Sequence, residues 1–375
     1  KTANIVTLLM PLHILFIKNA QFVRGYSLLL FLTTLASYIF IRLTDKYKYR
    51  EHIFYIVIGI AAIYTHLFAI FVVGAHFIYS VYLHKSIEFK KLFIGYIITA
   101  LCLIPLIFAP AFKSGQVNWI PMPDLYTLAA TFVFLTNDFV PISVLCFGLL
   151  LYLVMKKKKK LLTSSEYIFI LISLIFPLVI VYLFSILVKP IYNIQYFTIC
   201  LVPMVILVGH VIALIRKKTI MIIVMLLFIV GSGIRLYYWY SEINLNYFVI
   251  NNKNTDWKET AKYIALYSKE NDVVIVDPNF SQMSFDYYYE QVSSSNSIDR
   301  LVLQPTNIIS GKNSPFNKKL LETLPTEGAT IWLIKEEGLV SNEKTYNLIQ
   351  DELNEQHIPV EEVTFYQTKI TKYEN

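Results

Sequence analysis

The chain has 375 residues, of which 56% are hydrophobic and 16% are charged, with a mean hydropathy of +0.53. Because a soluble domain carries about a quarter charged residues, this composition excludes an ordinary soluble protein and indicates an integral membrane protein. Residues 1–240 hold 21 Lys and Arg against 6 Asp and Glu, a net charge of +15, whereas residues 241–375 hold 12 against 20, a net of −8. Such asymmetry predicts a membrane part followed by a soluble part.

The basic residues of the first half occur in short clusters between apolar runs rather than along one face, which disfavours nucleic-acid binding. The five consecutive lysines 156–160 are interpreted as a topology anchor near anionic headgroups, with a lipid-binding or nucleic-acid site as the alternative. Cysteines and histidines show neither CxxC nor HExxH spacing, so neither a disulfide framework nor a metal site is predicted. The sequence contains no Walker loop and no GxGxxG motif, which disfavours a nucleotide-driven pump.

Nine membrane-spanning helices are predicted, each of which needs roughly 20 apolar residues. The run Ile53–Leu83 is too long for one crossing, and we divide it near Tyr64-Thr65-His66. The other spans are expected at about Ala3–Ile17, Gly25–Leu43, Lys91–Phe112, Pro141–Met155, Tyr167–Val188, Phe197–Ile215 and Thr219–Tyr240. Because the chain begins with Lys1 and a short apolar run, we expect it to be a fragment that lacks its true N-terminus.

The orientation follows from Lys and Arg, which concentrate in every second connection and mark those connections as cytoplasmic. The loops 18–24, 64–66, 113–140 and 189–196 are then expected on the other side, together with residues 241–375. The cations expected on this outer side are candidates for binding a phosphate, and the acids there are few. The cations are Lys18, Arg24, Lys113, Lys189 and Arg235, and the acids of the membrane half on this side are Asp124 and Asp138.

From residue 241 the pattern changes to alternating helices and strands, which predicts a small α/β domain with a mixed or parallel sheet. Asp256, with Glu259 three residues on, is expected to cap a helix that runs to about Lys269. Strands are expected at Val273–Val276, Leu301–Leu303, Thr330–Ile334, Val360–Tyr366 and Thr368–Tyr373, the last two as a hairpin. Further helices are expected near Phe285–Gln291, Pro315–Leu324 and Asn342–Gln356.

The predicted fold class is therefore an α-helical polytopic membrane bundle with about nine spans, followed by a small extracytoplasmic α/β domain. The bundle comprises residues 1–240, truncated at its N-terminus, and the second domain comprises residues 241–375.

Three residues at the outer boundary have both a functional and a structural interpretation. The guanidinium of Arg24 suits bidentate capture of a phosphate, but an arginine there also serves as an interfacial anchor that snorkels to water. His66 is either a ligand-contacting histidine or a hydrogen-bonded interfacial one. Trp119, in a loop stiffened by two prolines, is either a membrane-interface aromatic, a sugar-stacking platform or part of a substrate lid.

Four separated segments match one pattern. They are AQFVRGYSLLLFLTTLASYIFIRL, IYTHLFAIFVV, NWIPMP and KPIYNIQYFTICLVP, the last followed by DWKETAKYI, DVVIVDP and FDYYYEQ. In these motifs the chain resembles the family 39-like GT-C membrane glycosyltransferases, which are related to dolichyl-phosphate-mannose protein mannosyltransferases and bacterial lipid A aminoarabinose transferases. The resemblance covers most of the chain, and it lies in the order and spacing of the motifs more than in any one of them.

The resemblance implies an inverting GT-C glycosyltransferase that moves a hexosyl or pentosyl group from a polyprenyl-phosphate donor to a glycan, lipid or protein acceptor. It implies a multi-pass protein of the plasma (inner) membrane that contacts membrane lipids and acts on the outer face. It leaves a divalent cation open as a cofactor. The substrate-binding residues that it implies are Arg24, Tyr26, Tyr64, His66, Trp119, Gln195 and Tyr196.

The chain departs from the family pattern in two places. The acidic catalytic residue of the family lies in a loop that would precede Lys1, so no catalytic residue is named in this chain. The family has an arginine before the tyrosine of its fourth segment, where this chain has Gln195 before Tyr196.

Other functional classes predict other features. A flippase or transporter of lipid-linked sugars would carry charged residues deep within its spans, together with broken helices. Buried charge is nearly absent from the predicted spans, and the conspicuous polar residues lie at the outer boundary, which favours the enzyme. A non-catalytic membrane binding protein would leave Arg24, His66 and Trp119 without a shared cleft. An O-antigen-type polymerase is a further enzymatic alternative.

Overall fold

The structure is a computed structural model that describes residues 1–21, 24–85, 87–108, 120–155, 165–241, 255–269, 272–277, 281–292, 299–300, 330–337 and 343–374. Tertiary contacts divide the chain into two compact units. The described residues of the helical unit end at Ser241, and those of the sheet unit begin at Thr255. The predicted domain boundary at 240/241 stays a prediction.

The helical unit is built from apolar helices joined by short connections. Its described elements are α1 (Thr2–Leu12), α2 (Ile14–Gln21), α3 (Tyr26–Asp45), α4 (Tyr49–Thr65), α5 (Ala69–Tyr82), α6 (Phe89–Cys102), α7 (Ile104–Ile107), α8 (Leu125–Leu135), α9 (Val140–Met155), α10 (Ser165–Leu187), a 3-10 helix (Ile194–Cys200), α11 (Leu201–Ala213) and α12 (Lys218–Tyr240).

Among the described residues, five helical segments are long and apolar enough to cross a membrane, and there are up to seven if each of two bent pairs is one span. The bent pairs are α1 with α2, at 50°, and α8 with α9, at 92°. The predicted number of nine spans is not reproduced. The predicted division of Ile53–Leu83 is present, since α4 ends at Thr65, but α4 and α5 have only 17 and 14 residues.

The predicted outer loop 113–140 contains a helix, α8, over Leu125–Leu135, so the loop prediction is wrong for these residues. A capping box begins the helix. The carboxylate of Asp124 accepts the N–H of Thr127 at 2.7 Å, and the hydroxyl of Thr127 accepts the N–H of Asp124 at 3.3 Å. This local pairing satisfies two of the donors that a helix start leaves open.

The 3-10 helix and α11 form the core of the helical unit. An apolar window within Ile194–Ala213 is 67% buried, against 17–39% for the other four candidate spans. Gly209 of α11 allows α1 to approach closely, because a Cβ at this position would lie 2.6 Å from Cγ2 of Val6. The first helix of the chain is therefore packed directly on the central helix.

The sheet unit consists of a mixed five-stranded sheet with helices on both faces. Its described elements are α13 (Trp257–Tyr267), β1 (Val273–Asp277), α14 (Gln282–Val292), β2 (Asp299–Arg300), β3 (Ile331–Glu336), α15 (Glu343–Gln356), β4 (Ile358–Phe365) and β5 (Thr368–Glu374). The strand order is β2-β1-β3-β5-β4, with β2, β1 and β3 parallel and β3, β5 and β4 antiparallel. The mixed sheet and the terminal hairpin agree with the prediction. The predicted strand Leu301–Leu303 and helix Pro315–Leu324 lie outside the described residues.

The side chains of β1 and β3 alternate between two apolar layers, as the period of a strand requires. Val274 and Val276 pack with α13 and α14, whereas Val273 and Ile275 pack with α15. Both central strands are therefore covered on both faces. Asp256 precedes α13 at the predicted cap position, but its side chain makes no capping hydrogen bond.

Candidate functional site

Arg24 lies in the short connection between α2 and α3, beside the hydroxyl group of Tyr26. Its guanidinium donates a hydrogen bond to the hydroxyl of Tyr26, the first residue of α3. The hydroxyl of Ser27 donates to the carbonyl of Asn19, which ties the end of α2 to the start of α3. Gly25 allows the end of α4 to approach, since a Cβ there would lie 3.2 Å from Cγ2 of Thr65.

An aromatic row extends from Tyr26 across the start of α5 to the 3-10 helix. The ring centroids of Tyr26 and His66 are 5.5 Å apart, and those of His66 and Tyr196 are 5.0 Å apart. Phe68 lies 4.7 Å from Tyr196 and closes the row against the core. Three segments that are far apart in the sequence therefore meet at one place.

His66 is neutral in this row. The backbone N–H of Phe68 donates to its Nδ1 at 3.3 Å, so Nδ1 accepts and Nε2 carries the proton. Burial lowers the pKa of His66 below its usual value of 6.5. The side chain therefore acts at neutral pH as an aromatic surface with one N–H donor, not as a cation.

A small cavity of about 10 Å³ lies beside Tyr26 and has both apolar and polar lining residues, the apolar ones being Leu15 and Phe134. Its polar lining residues are Lys18, Asn19, Tyr26, Gln195 and Thr198. This volume corresponds to about one water molecule, so a phosphate group does not fit inside the cavity as it stands. Gln195, which is exposed, marks the side from which a larger group could approach.

Lys18 and Asn19 supply hydrogen-bond donors to this cavity. The side chain of Lys18 is only 8% exposed and interacts electrostatically with Asp138, Arg235 and Arg24. Asn19 is also buried, and its Nδ2 has no hydrogen-bond partner. Two cations and an open amide donor therefore converge near Tyr26, an arrangement that suits an anionic group.

The bend between α8 and α9 contains Asp138, which interacts electrostatically with Lys18. Asn137 and Asp138 both have positive φ, 80° and 51°, a conformation that Asn and Asp adopt more readily than other side chains. Asp138 and Arg235 are 0% exposed and form an ion pair with an Nη2 to Oδ2 distance of 2.6 Å. Arg235 Nε also donates to the carbonyl of Asp138 at 3.1 Å.

The two helix bends are interlocked. The Oδ1 of Asn137 accepts the N–H of Ile14, the first residue of α2, at 2.7 Å, and its Nδ2 donates to Ser232 of α12 at 2.8 Å. His13, at the other bend, contacts the carbonyl of Leu135 through Nε2 at 3.3 Å. The start of the helix that carries Lys18 is thereby tied to the end of α8, to the bend that follows it and, through Asn137, to α12.

The structure brings together five of the seven predicted substrate-binding residues. They are Arg24, Tyr26, His66, Gln195 and Tyr196. Tyr64 is partnered elsewhere, because its hydroxyl donates to the carbonyl of Cys102 at 2.8 Å. Trp119 lies outside the described residues, as does Lys113.

Two expectations about charge are wrong. Arg235, expected as an outer-face cation for phosphate, is fully buried and paired with Asp138. Buried charge is not nearly absent from the bundle, since Lys18, Asp138 and Arg235 are all buried. Sequence reasoning also missed Asn19 and Asn137. The only signal for them was an amide next to a charged residue in an otherwise apolar region.

The described residues contain no group of three His, Cys, Asp or Glu side chains that could hold a metal ion. Comparison of the chain with protein-family models, with curated proteins and with solved structures finds no match. The resemblance to the family 39-like transferases therefore rests on the quoted motifs alone.

Proposed function

We propose that this protein transfers a sugar from a polyprenyl-phosphate donor to a glycan, lipid or protein acceptor, and that the phosphate binds at Arg24 and Lys18. One observation carries the proposal. Three of the four motif segments, which are separated by tens of residues, converge in the aromatic row of Tyr26, His66 and Tyr196. A purely structural role for each motif would not require the three to meet beside two cations.

The chemistry of a lipid-phosphate leaving group fits these residues. Cleavage of the sugar–phosphate bond leaves a phosphate dianion, and fixed positive charge lowers the energy of that developing charge. Arg24 can bind two phosphate oxygens at once, and Lys18 and the open Nδ2 of Asn19 line the adjacent cavity, which must widen before they contact further oxygens. The hydrogen bond from Arg24 to Tyr26 would then be exchanged for bonds to the ligand.

The polyprenyl tail has an apolar path next to Arg24. Leu28 and Phe31 are 51% and 61% exposed on α3 and lie three residues apart, so they share one helical face in the first turns after Arg24. A tail along this face would stay in contact with lipid while the phosphate reaches the cations. Each CH₂ removed from water contributes about 0.8 kcal/mol, but a lipid-dissolved tail gains little of this, so the headgroup contacts decide specificity.

The general base for the acceptor hydroxyl is not assigned to a residue of the described chain. Asp138 is committed to Arg235, and Asp124 is committed to the start of α8.

A transporter of lipid-linked sugars is the second candidate, and the two bent helix pairs favour it. Discontinuous helices that surround a charged residue occur at the binding sites of secondary transporters. Against this, Asn137 ties both bends to α12 through short hydrogen bonds. Two bends that are fixed by hydrogen bonds in this way are better suited to positioning Lys18 than to alternating between two conformations.

The test uses the full chain in phospholipid nanodiscs and a tritium-labelled polyprenyl monophosphate. We expect Arg24→Ala to weaken its binding at least tenfold, because a charge-assisted bidentate contact contributes about 1.5–3 kcal/mol. Arg42→Ala is the matched control, since Arg42 lies at the opposite end of α3, is exposed and forms an ion pair with Glu51. Equal binding by the Arg24 variant and the wild type would refute the assignment.

The two candidates are separated by what happens to a polyprenyl-phosphate sugar in sealed proteoliposomes. A transferase releases free polyprenyl phosphate when an acceptor is present, and Arg24→Ala abolishes the release. A transporter moves the intact donor to the other leaflet without cleaving it. Movement of the donor without any cleavage would replace the first candidate by the second.

A further inference from the structure

Helix α8 turns sharply away from α9. The two helices are separated by residues 136–139 and are bent by 92° relative to each other. The 16 residues of α9 rise about 24 Å, which is most of the roughly 30 Å of a hydrocarbon core. Spanning helices tilt by no more than about 40° from the membrane normal. When α9 crosses the membrane, α8 therefore lies within about 40° of the membrane plane.

The contacts of α8 place it level with the ends of other spans. The hydroxyl groups of Thr131 and Tyr192 share a hydrogen bond of 2.9 Å, and Tyr192 lies in the connection between α10 and the 3-10 helix. Phe134 lines the cavity that is also lined by Tyr26, the first residue of α3, and by Gln195 of the 3-10 helix. Connections between spans lie at a membrane surface, because lipid-exposed loops do not occur within the hydrocarbon core. Helix α8 is therefore near a membrane surface, not at the midplane.

The side of α8 that faces away from the other helices is apolar. Leu125 and Tyr126 are 79% and 77% exposed, and Ala129, one turn further on, is exposed as well. None of the 11 residues of α8 is charged, and the carboxylate of Asp124 lies just before the first of them. A helix on a protein surface in water carries charged and polar residues on its outer face. The outer face of α8 lacks this feature.

Helix α9, which follows the bend, is exposed in the same way. Val144, Phe147 and Leu151 are 66%, 55% and 46% exposed, and in a spanning helix these side chains contact acyl chains. Tyrosine is enriched where acyl chains meet headgroups, because its ring is apolar and its hydroxyl stays hydrated. Tyr126 beside Leu125 suits that boundary.

We propose that α8 lies in the plane of the membrane interface and that Leu125 and Tyr126 contact lipid at the boundary between acyl chains and headgroups. The other end of the helix carries Phe134, so α8 extends from the lipid to the cavity beside Tyr26. The lipid contact of α8 does not depend on the polyprenyl donor, and its test contains none.

Spin labels on single cysteines measure this placement in the full chain, reconstituted in phospholipid vesicles. The background is Cys102→Ser, because Cys102 is exposed and the other two cysteines are buried. The labelled variants are Leu125→Cys, Tyr126→Cys and Ala129→Cys, all at exposed positions where a cysteine disturbs no packing. Collisions with oxygen, which dissolves in acyl chains, and with a nickel chelate, which stays in water, give the depth of each label.

Leu125 and Ala129 lie four residues apart on one helical face, a separation of about 6 Å along the axis. With an average tilt of about 20° for α9, we expect the depths of these two labels to differ by no more than about 2 Å. Phe147→Cys and Leu151→Cys are the matched pair on α9, also exposed and four residues apart, and their depths should differ by about 5–6 Å. The label at Tyr126 should collide more often with oxygen than with the nickel chelate.

Three results would overturn the proposal. A depth difference between Leu125 and Ala129 as large as that of the α9 pair would mean that α8 crosses the membrane. More collisions with the nickel chelate than with oxygen at Tyr126 would place the helix in water. Few collisions with either reagent would mean that protein, not lipid, covers this face. Lys46→Cys, exposed in the connection between α3 and α4, is the control that shows that the nickel chelate reaches the protein.

Discussion

The helical unit and the sheet unit each bury a carboxylate, but they treat it differently. In the helical unit Asp138 lies 2.6 Å from Nη2 of Arg235 and is held in a bend that two neighbouring helices support. In the sheet unit the Oδ2 of Asp277 receives no hydrogen bond. A buried charge that is fully paired specifies how helices fit together, whereas a buried acceptor that is left without a donor costs free energy of folding.

The same contrast exists within each unit. In the helical unit the paired Asp138 interacts with Lys18, the residue before Asn19, whose buried Nδ2 has no partner, and in the sheet unit the satisfied Asp272 lies five residues before Asp277. In both units a completed polar group is next to an open one. The completed groups should therefore contribute more to stability than the open ones.

The largest effect is expected for the paired charge. Asp138→Ala leaves the guanidinium of Arg235 buried without a counter-ion, and we expect a loss of about 5 kcal/mol in the free energy of unfolding. The double variant Asp138→Leu with Arg235→Met should recover most of this, because it removes both charges together. Unfolding in mixed micelles, followed by circular dichroism, measures both. If Asp138→Ala were as stable as the wild type, the ion pair of Asp138 and Arg235 would not stabilise the helical unit.

The next effect concerns the completed carboxylate of the sheet unit. Asp272→Ala leaves two backbone N–H groups and the indole N–H of Trp332 without an acceptor, and we expect a loss of about 4 kcal/mol in the stability of this unit. The fluorescence of Trp332 provides a local signal for the transition. If the unfolding transition of the variant coincides with that of the wild type, the three hydrogen bonds contribute nothing measurable to stability.

Local sequence patterns predicted much of the sheet unit but little of the polar junction of the helical unit. We use this name for the hydrogen bonds and the ion pair that join Ile14, Asn137, Asp138, Ser232 and Arg235. Val273–Val276 was predicted as a buried strand from four apolar residues in a row, and the structure has β1 over Val273–Asp277. The break at Tyr64–His66 was likewise predicted from the length of the apolar run and the alternation of basic connections, and α4 ends at Thr65. These features depend on neighbours in the sequence, which is why sequence reasoning finds them.

The junction depends on distant residues. Arg235 and Asp138 are 97 positions apart, and Asn137 and Ile14 are 123 apart, so no local spacing relates them. An arginine near the end of an apolar run looks the same in sequence whether it faces a ligand or a buried aspartate. Tyr26, His66 and Tyr196 were predicted as substrate-binding residues only through the family resemblance, and no local pattern relates them to one another.

A smaller effect follows from the open carboxylate and depends on pH. The pKa of Asp277 is raised to about 6 in the folded state, so the folded state holds this proton more tightly than the unfolded chain. Stability is therefore lost as pH rises through about 4 to 6, by about 3 kcal/mol in total. Asp277→Asn removes this loss and should stabilise the sheet unit at pH 8 but not at pH 4.

Unfolding of the wild type and the variant at the two pH values measures the difference. Lys335 is the charged group that faces Asp277, and it stays protonated in this range. An equal gain at both pH values would mean that packing, not charge, separates asparagine from aspartate at this position.

The smallest predicted effect tests the open groups of the helical unit and rests on the proposed function. Gln195 lines the cavity beside Lys18 and is exposed, so Gln195→Arg would place a third cation near the proposed phosphate. We expect binding of polyprenyl monophosphate to tighten about fivefold, which corresponds to about 1 kcal/mol. Val188→Arg is the control, because Val188 is exposed at the end of α10 and the added charge is the same. Equal tightening in both variants would mean that the ligand responds to general surface charge, and Gln195 would then have no part in binding the phosphate.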